Sequence, residues 1–257
     1  MFGVTTRSSA AFLLRNRCSS HRKGAVIRQM YLEVEQKFAL TDSGDLEARL
    51  SGLGFKPDGK KTFVDWYFDT EDVRLTTQDC WFRFRDMGGN GEWQLKRGCG
   101  ENSASTVYNE TEGDVAVSNA LSLLEGNTRD EPSTKSEIFD GYSIPKIPGG
   151  ENCGLLPFCR LETTRSSWSA GGEYENLVVD LDATNTGYGV GEVETVVEDA
   201  ADIAEAKERV QSLISRITEN ISSDDEPAVG KLEHYLINNR PEHYQACIES
   251  GVIKTKY

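Results

Sequence analysis

Hydrophobic positions in this chain alternate with charged ones in several short runs, and elsewhere recur at helical spacing. The tract Leu32-Glu33-Val34-Glu35-Gln36-Lys37-Phe38 sets the pattern. A spacing of two puts Glu33, Glu35 and Lys37 on one face of a strand, with Val34, Gln36 and Phe38 on the other. Residues 30–40 therefore read as the first strand. Asp42 to Leu53 follows as a helix, with Leu46, Leu50 and Leu53 on one stripe and Gly54 as its stop. Thr62–Asp69 is aromatic and β-branched, so a strand. Trp81–Asp86 and Glu92–Arg97 flank the hairpin turn Met87-Gly88-Gly89-Asn90-Gly91. Thr106–Thr111 is another strand, and Asp114–Leu124 a helix capped by its Asp.

From Gly126 to Gly154 the chain is rich in Gly, Pro, Ser and charge. That composition predicts a long surface excursion with at most one short strand, around Ile138. Leu155–Trp168, Asn176–Asp182 and Tyr188–Glu198 supply three more strands, the last two joined through Asn185-Thr186-Gly187. The C-terminal part is helical over Ala200–Glu219, over Val229–Asn239 and in a short piece after Pro241, with Asp224–Pro227 as linker. Consecutive hairpins imply an antiparallel sheet, and eight or so strands can close into a barrel. The fold class is therefore α+β.

The charged faces change how that sheet reads. Arg83 and Arg85 alternate with Phe82 and Phe84, Asp180 and Asp182 with Val179 and Leu181, and Glu192 and Glu194 with Val193. Lys96 and Glu110 lie on further strands. One acidic pair is as well explained by a face turned to water. Four strands bearing near-pure acid or arginine pairs favour an interior one. Facing carboxylates repel unless cations intervene, and Mg²⁺ suits carboxylate and phosphate oxygens. Arginine forks suit phosphate. The expected ligand is a di- or triphosphate with Mg²⁺. Trp81, two residues before Arg83, either stacks on a cationic ring or packs at a barrel rim or in the core. Tyr67, two residues from both Asp65 and Asp69, shares their polar face.

Other phosphate and catalytic motifs fail. Gly54-Phe55-Lys56-Pro57-Asp58-Gly59-Lys60-Lys61 lacks the final Ser or Thr of a P-loop and precedes a strand where a helix is required. Gly187-Tyr188-Gly189-Val190-Gly191 has no following helix. His21, His234 and His243 are scattered and read as structural or solvated. Cys18, Cys80, Cys99, Cys153, Cys159 and Cys247 show no zinc spacing and read as reduced thiols.

Composition adds limits. The chain has 257 residues, 37% hydrophobic content and a formal charge of −14, which suits one domain with a tail and argues against nucleic-acid binding. No apolar run is long enough for a membrane span. Residues 1–32 hold Arg7, Arg15, Arg17, Arg22, Lys23 and Arg28 and no acid. Residues 1–29 thus read as a transit peptide or disordered extension. The first implies a mitochondrial or plastid location, the second a cytoplasmic one.

The ordered tracts resemble the CYTH superfamily, the triphosphate tunnel enzymes. The first is Glu33-Val34-Glu35-Gln36-Lys37, the E-x-E-x-K signature. Asp65–Thr70, Trp81–Arg85, Trp93–Lys96, Tyr108–Glu110, Thr164–Trp168, Val179–Asp182, Gly187–Glu194, Lys231–Leu236 and Arg240–Tyr244 follow. Within the superfamily the chain is most similar to the animal-type thiamine triphosphatases. The resemblance implies an eight-stranded antiparallel tunnel β-barrel with flanking helices over residues 30–250, carrying a loop-rich insertion at 126–154. It implies Mg²⁺ on Glu33, Glu35, Asp180, Glu192 and Glu194. Lys37, Arg83, Arg85, Lys96, Arg165 and Lys231 would hold the triphosphate, with Glu110 and Asp182 beside them and Trp81 on a thiazolium ring. Tyr67 and Lys231 would assist catalysis. The implied activity is hydrolysis of thiamine triphosphate by a monomer acting on a small-molecule triphosphate. The alternatives are an inorganic tripolyphosphatase, a general nucleoside triphosphatase, a cyclase of the same fold, or a binding module without catalysis.

Overall fold

A computed structural model describes residues 31–40, 43–100, 105–125, 139–150, 153–219 and 228–254. The basic N-terminal extension, the strand expected near Ile138 and the Asp224–Pro227 linker lie outside the described residues. Eight antiparallel strands close into one ring. They are β1 (Leu32–Ala39), β2 (Lys56–Asp69), β3 (Cys80–Asp86), β4 (Gly91–Gly98), β5 (Thr106–Glu112), β6 (Leu156–Ser169), β7 (Val178–Thr184) and β8 (Gly189–Val197). Their order around the ring is β1-β5-β4-β3-β2-β6-β7-β8. The helices are α1 (Ser43–Gly52), α2 (Gly113–Ser122), α3 (Ile203–Ile217), α4 (Lys231–Asn239) and α5 (Pro241–Glu249).

Two of the three apolar clusters lie outside the ring, beneath the helices, and a third joins the lumen-lining Tyr67 to Phe158, Leu161 and Leu236 of α4. Val34 and Phe38 of β1 and Val193 of β8 pack with Leu46 and Leu50 of α1 and Val210, Leu213 and Ile217 of α3. Phe38 faces Gly191 across the β1–β8 pair, and a methyl group there would come within 2.2 Å of the ring. A second cluster joins Phe68, Phe82, Trp93 and Leu95 to Ala116, Val117 and Ala120 of α2. With the hydrophobic face of each strand turned outward, alternation directs the charged face into the lumen. No helix among the described residues is long and apolar enough to cross a membrane.

Several boundaries differ from the sequence reading. β2 begins at Lys56 rather than Thr62, and its first seven residues are exposed while they pair with β6. A polar arm held by backbone bonds leaves no hydrophobic signature. Ala200–Asp202 is a 3₁₀ turn, so α3 starts at Ile203. Asp114 lies inside the first turn of α2, whose cap position is Glu112 with no side-chain bond. In the 126–154 stretch, Phe139 is buried edge-on against Trp66, so that part of the insertion is anchored to the second core.

Candidate active site

The lumen opens into a cavity of about 850 Å³. Glu33, Glu35, Lys37, Tyr67, Trp81, Arg83, Arg85, Lys96, Arg165, Glu192, Glu194 and Lys231 all line it. Strand register brings them together. Glu35 stands opposite Glu194 and Lys37 opposite Glu192 across β1 and β8, while Asp180 stands opposite Glu192 across β7 and β8. Glu110 stands opposite Lys96, and Trp81 also neighbours Lys96.

Acids and bases are interleaved. Lys96 Nζ lies 2.6 Å from Glu33 Oε2 and 2.9 Å from Glu35 Oε2. Lys37 bridges Glu35 and Glu192, the latter at 3.2 Å. Arg165 donates through Nε and Nη2 to the two oxygens of Asp182, each at 2.7 Å, and also pairs with Asp180 and, at 3.4 Å, Glu192. Asp180 and Asp182 thus stand behind Arg165. Lys231, the first residue of α4, donates to Asp182, and Ala228, Val229 and Gly230 before it also line the cavity. Gly230 sits over Lys37, and Val229 is held by the Tyr188 hydroxyl at 2.7 Å.

Arg85 forks onto Asp65 at 2.7 and 2.8 Å. Arg83 donates to Gln94 at 2.9 Å and to the Tyr67 hydroxyl at 3.3 Å, and lies 3.5 Å from Glu110. Phe63 closes this wall from below, 4.1 Å from the Arg85 guanidinium. Gln94 carries no local mark as a site residue, and the sequence places Asp65 only on the polar face it shares with Tyr67. Asp65 acquires its role only when β2 pairs with β3 and places it opposite Arg85. Asp69, by contrast, leaves the polar face. Its carboxylate accepts from the backbone of Thr70, Leu75 and Thr76 and from the Thr76 hydroxyl, and so organises the turn before β3.

The field inside is uneven. Burial would raise the Asp65 carboxyl, but Arg85 and Arg83 hold it well below its ordinary range. Burial would likewise raise Glu192, yet Lys37, Lys231 and Arg165 keep it ionised. Burial lowers Lys37 and Lys96, but their carboxylate neighbours outweigh it and hold both well above the usual lysine range. Lys231 behaves differently: burial and the neighbouring Arg165 lower its pKa despite Asp182. Burial raises the Tyr67 phenol. Lys231 is therefore easier to neutralise than an ordinary lysine, whereas Tyr67 is harder to ionise than an ordinary tyrosine.

Five carboxylates, Glu33, Glu35, Asp180, Glu192 and Glu194, lie on the three adjoining strands β1, β8 and β7. Among the described residues no three His, Cys, Asp or Glu side chains already converge as a chelating group. Lysine and arginine stand between the acids instead.

Residues 31–226 match the family model described as CYTH domain. The chain is 31% identical over 228 residues to a human protein named thiamine-triphosphatase, covering 86% of this chain and 91% of that one. It is also 31% identical to the Macaca fascicularis protein of the same name over 236 residues, covering 89% and 94%. A solved protein from Pyrococcus horikoshii shares the fold at 16% identity and a TM-score of 0.50, over 77% of this chain and 96% of that one.

Proposed function

The chain belongs to the CYTH domain family, and from that premise we propose that it hydrolyses thiamine triphosphate to thiamine diphosphate and phosphate with Mg²⁺. The observation that carries this reading is the lumen itself, where seven lysines and arginines, Lys254 at the mouth included, face a cavity large enough for a triphosphate and Trp81 lines the same wall. The two mammalian relatives named thiamine-triphosphatase support the choice of substrate.

Arg83, Arg85 and Arg165 bind phosphate oxygens through their forks, and Lys37 and Lys96 add charge. Phosphoryl transfer asks the protein mainly for this positioning and neutralisation. Glu33, Glu35, Asp180, Glu192 and Glu194 would hold Mg²⁺, which when bound neutralises phosphate charge and fixes oxygen positions. Water forms a bond to the terminal phosphorus, the bridging P–O bond breaks, and thiamine diphosphate leaves. The neutral amine of Lys231 takes the water's proton, held in place by Asp182. Tyr67 remains a protonated hydrogen-bonding group.

A second reading is an inorganic tripolyphosphatase, favoured by the fact that the basic side chains alone suffice for a bare triphosphate. Phosphate release from thiamine triphosphate, tripolyphosphate and ATP with Mg²⁺ separates the readings. Our reading expects the highest kcat/KM on thiamine triphosphate. It also expects Trp81→Ala to lower that value about tenfold more than the value on tripolyphosphate. Equal losses on both substrates would establish the second reading.

A further inference from the structure

Asp79 sits where the turn before β3 meets the cavity wall. Its backbone is left-handed at φ 56°, an uncommon conformation outside glycine that Asp and Asn tolerate best. Its carbonyl accepts from the Gly98 N–H at 2.9 Å, and its Oδ1 accepts from the Trp81 indole N–H at 2.8 Å. Its Oδ2 fills the space above Gly98, where an added methyl carbon would lie 1.5 Å away. The carboxylate is thus fixed from three sides beside the indole.

Its charge is not explained by these contacts. Glu33, Glu35 and Glu192 each face a lysine or arginine within 3.4 Å. Asp79 forms no ion pair with a lysine or arginine among the described residues. Burial raises its pKa, with only the Trp81 hydrogen bond opposing that rise. Asparagine would suit the left-handed turn, accept from the indole and pack on Gly98 equally well. The fold needs the shape and the acceptor at this position; from the negative charge it gains only a stronger bond to the indole, which does not offset the cost of burial.

We propose that Asp79 is a specificity-determining residue whose carboxylate, beside Trp81 on the cavity wall, provides the counter-charge for a cationic aromatic ring attached to the substrate's phosphate chain. This deepens the proposed function and rests on its placement of the phosphates against the lumen's basic groups. An indole and a carboxylate side by side favour a cationic ring over a neutral one, by cation–π and ionic attraction together. Neither group attracts a bare polyphosphate, and the carboxylate repels it. The pair therefore selects which triphosphate stays, while the arginines hold any triphosphate.

The test compares Kd for thiamine diphosphate and for inorganic diphosphate, in Mg²⁺ buffer, on the full chain and on two variants. Asp79→Asn keeps the turn and the indole bond and removes the charge. Gly98→Ala keeps the charge and displaces the carboxylate. Both are expected to weaken thiamine diphosphate about tenfold, the scale of one partly desolvated charge contact, with less than a twofold change for inorganic diphosphate. Parallel shifts on both ligands, no shift with Asp79→Asn, or a wild-type chain that prefers inorganic diphosphate would each overturn the proposal. A selective loss in a chain that releases no phosphate from thiamine triphosphate would leave the ring site standing and sink the hydrolase reading alone.

Discussion

Lys231 carries the clearest consequence at the scale of a single residue. It is enclosed by the lumen, with Asp182 drawing it towards the charged form and burial and Arg165 drawing it towards the neutral one, and the second pair prevails. A lysine with a lowered pKa offers its free amine at a lower pH than the free side chain, whose value is about 10.4. If the amine accepts the water's proton, turnover rises with pH and levels off below that value. Tyr67, whose pKa is raised, contributes no rise in the same range. Lys231→Arg keeps a cation that cannot deprotonate, so it is expected to lose the alkaline rise along with about 10²–10⁴-fold of kcat. The check is kcat from pH 7 to 9.5 on both proteins. A wild-type profile that is flat across that span, with substrate binding intact, would refute the role. The position of Lys231 and its match to the family motif were readable from sequence. Its direction of titration was not, because that follows from burial and from Arg165 on a distant strand.

At the scale of elements, the docking of α5 onto the turn between β2 and β3 decides how the tunnel mouth is held. Thr76 donates to Asp69 and takes a hydrogen bond from His243 Nε2 at 2.7 Å, while the His243 ring packs on Phe158. Asp69 lies 4.0 Å from His243, Cys247 is buried on the same helix, and Arg240 precedes it. Tyr244, next in α5, lines the cavity, so this latch also sets a wall of the site. Burial and Arg240 lower His243 from 6.5 to about 4. Its folded pKa lies below its unfolded one, so its contribution to stability is present above about 6.5 and is lost as pH falls towards 4. The loss amounts to at most about 3 kcal/mol. His243→Gln, which retains a donor for Thr76, is expected to flatten the fall in Tm between pH 6.5 and 4.5. Parallel curves for variant and wild type would show that other groups drive acid unfolding. A short helix after Pro241 was legible in the sequence, whereas the turn between β2 and β3 carried no signal of its own. Their contact was not legible either, since Asp69 reads as one more member of an alternating acidic face until the turn folds back on it.

For the whole molecule, alternation of charge and hydrophobicity indicated which face of each strand is special, and the recurrence of that device on four strands turned the face inward. It could not show who faces whom. Arg85 with Asp65 and Arg165 with Asp182 depend on the register between consecutive strands, and Lys96 with Glu33 on the meeting of strands far apart in sequence. These pairings have a thermodynamic consequence for the ring as a unit. Each base proposed to hold the triphosphate is already matched to a carboxylate, and Glu33, Glu35, Asp180 and Glu192, four of the carboxylates proposed for Mg²⁺, are each matched to a base. A polyanion arriving alone must pull lysine and arginine away from buried acids and leave those acids uncompensated, which is costly. A cation arriving alone meets the mirror-image cost. Together they exchange one set of pairs for another, so each is expected to strengthen the other, by the same factor in both directions. The measurement is the rise in Tm with tripolyphosphate, with Mg²⁺, and with both. Saturation at about a hundred times Kd adds about 2.7 kcal/mol, which corresponds to about 5–10 °C for a chain of this size. The combined shift is expected to exceed the sum of the separate ones, and Glu35→Gln, which removes the charge lying between Lys37 and Lys96, is expected to shrink that excess. Additive shifts in the wild-type chain would mean that the interleaved pairs are scaffold, rather than a site preset to exchange them for metal and phosphate.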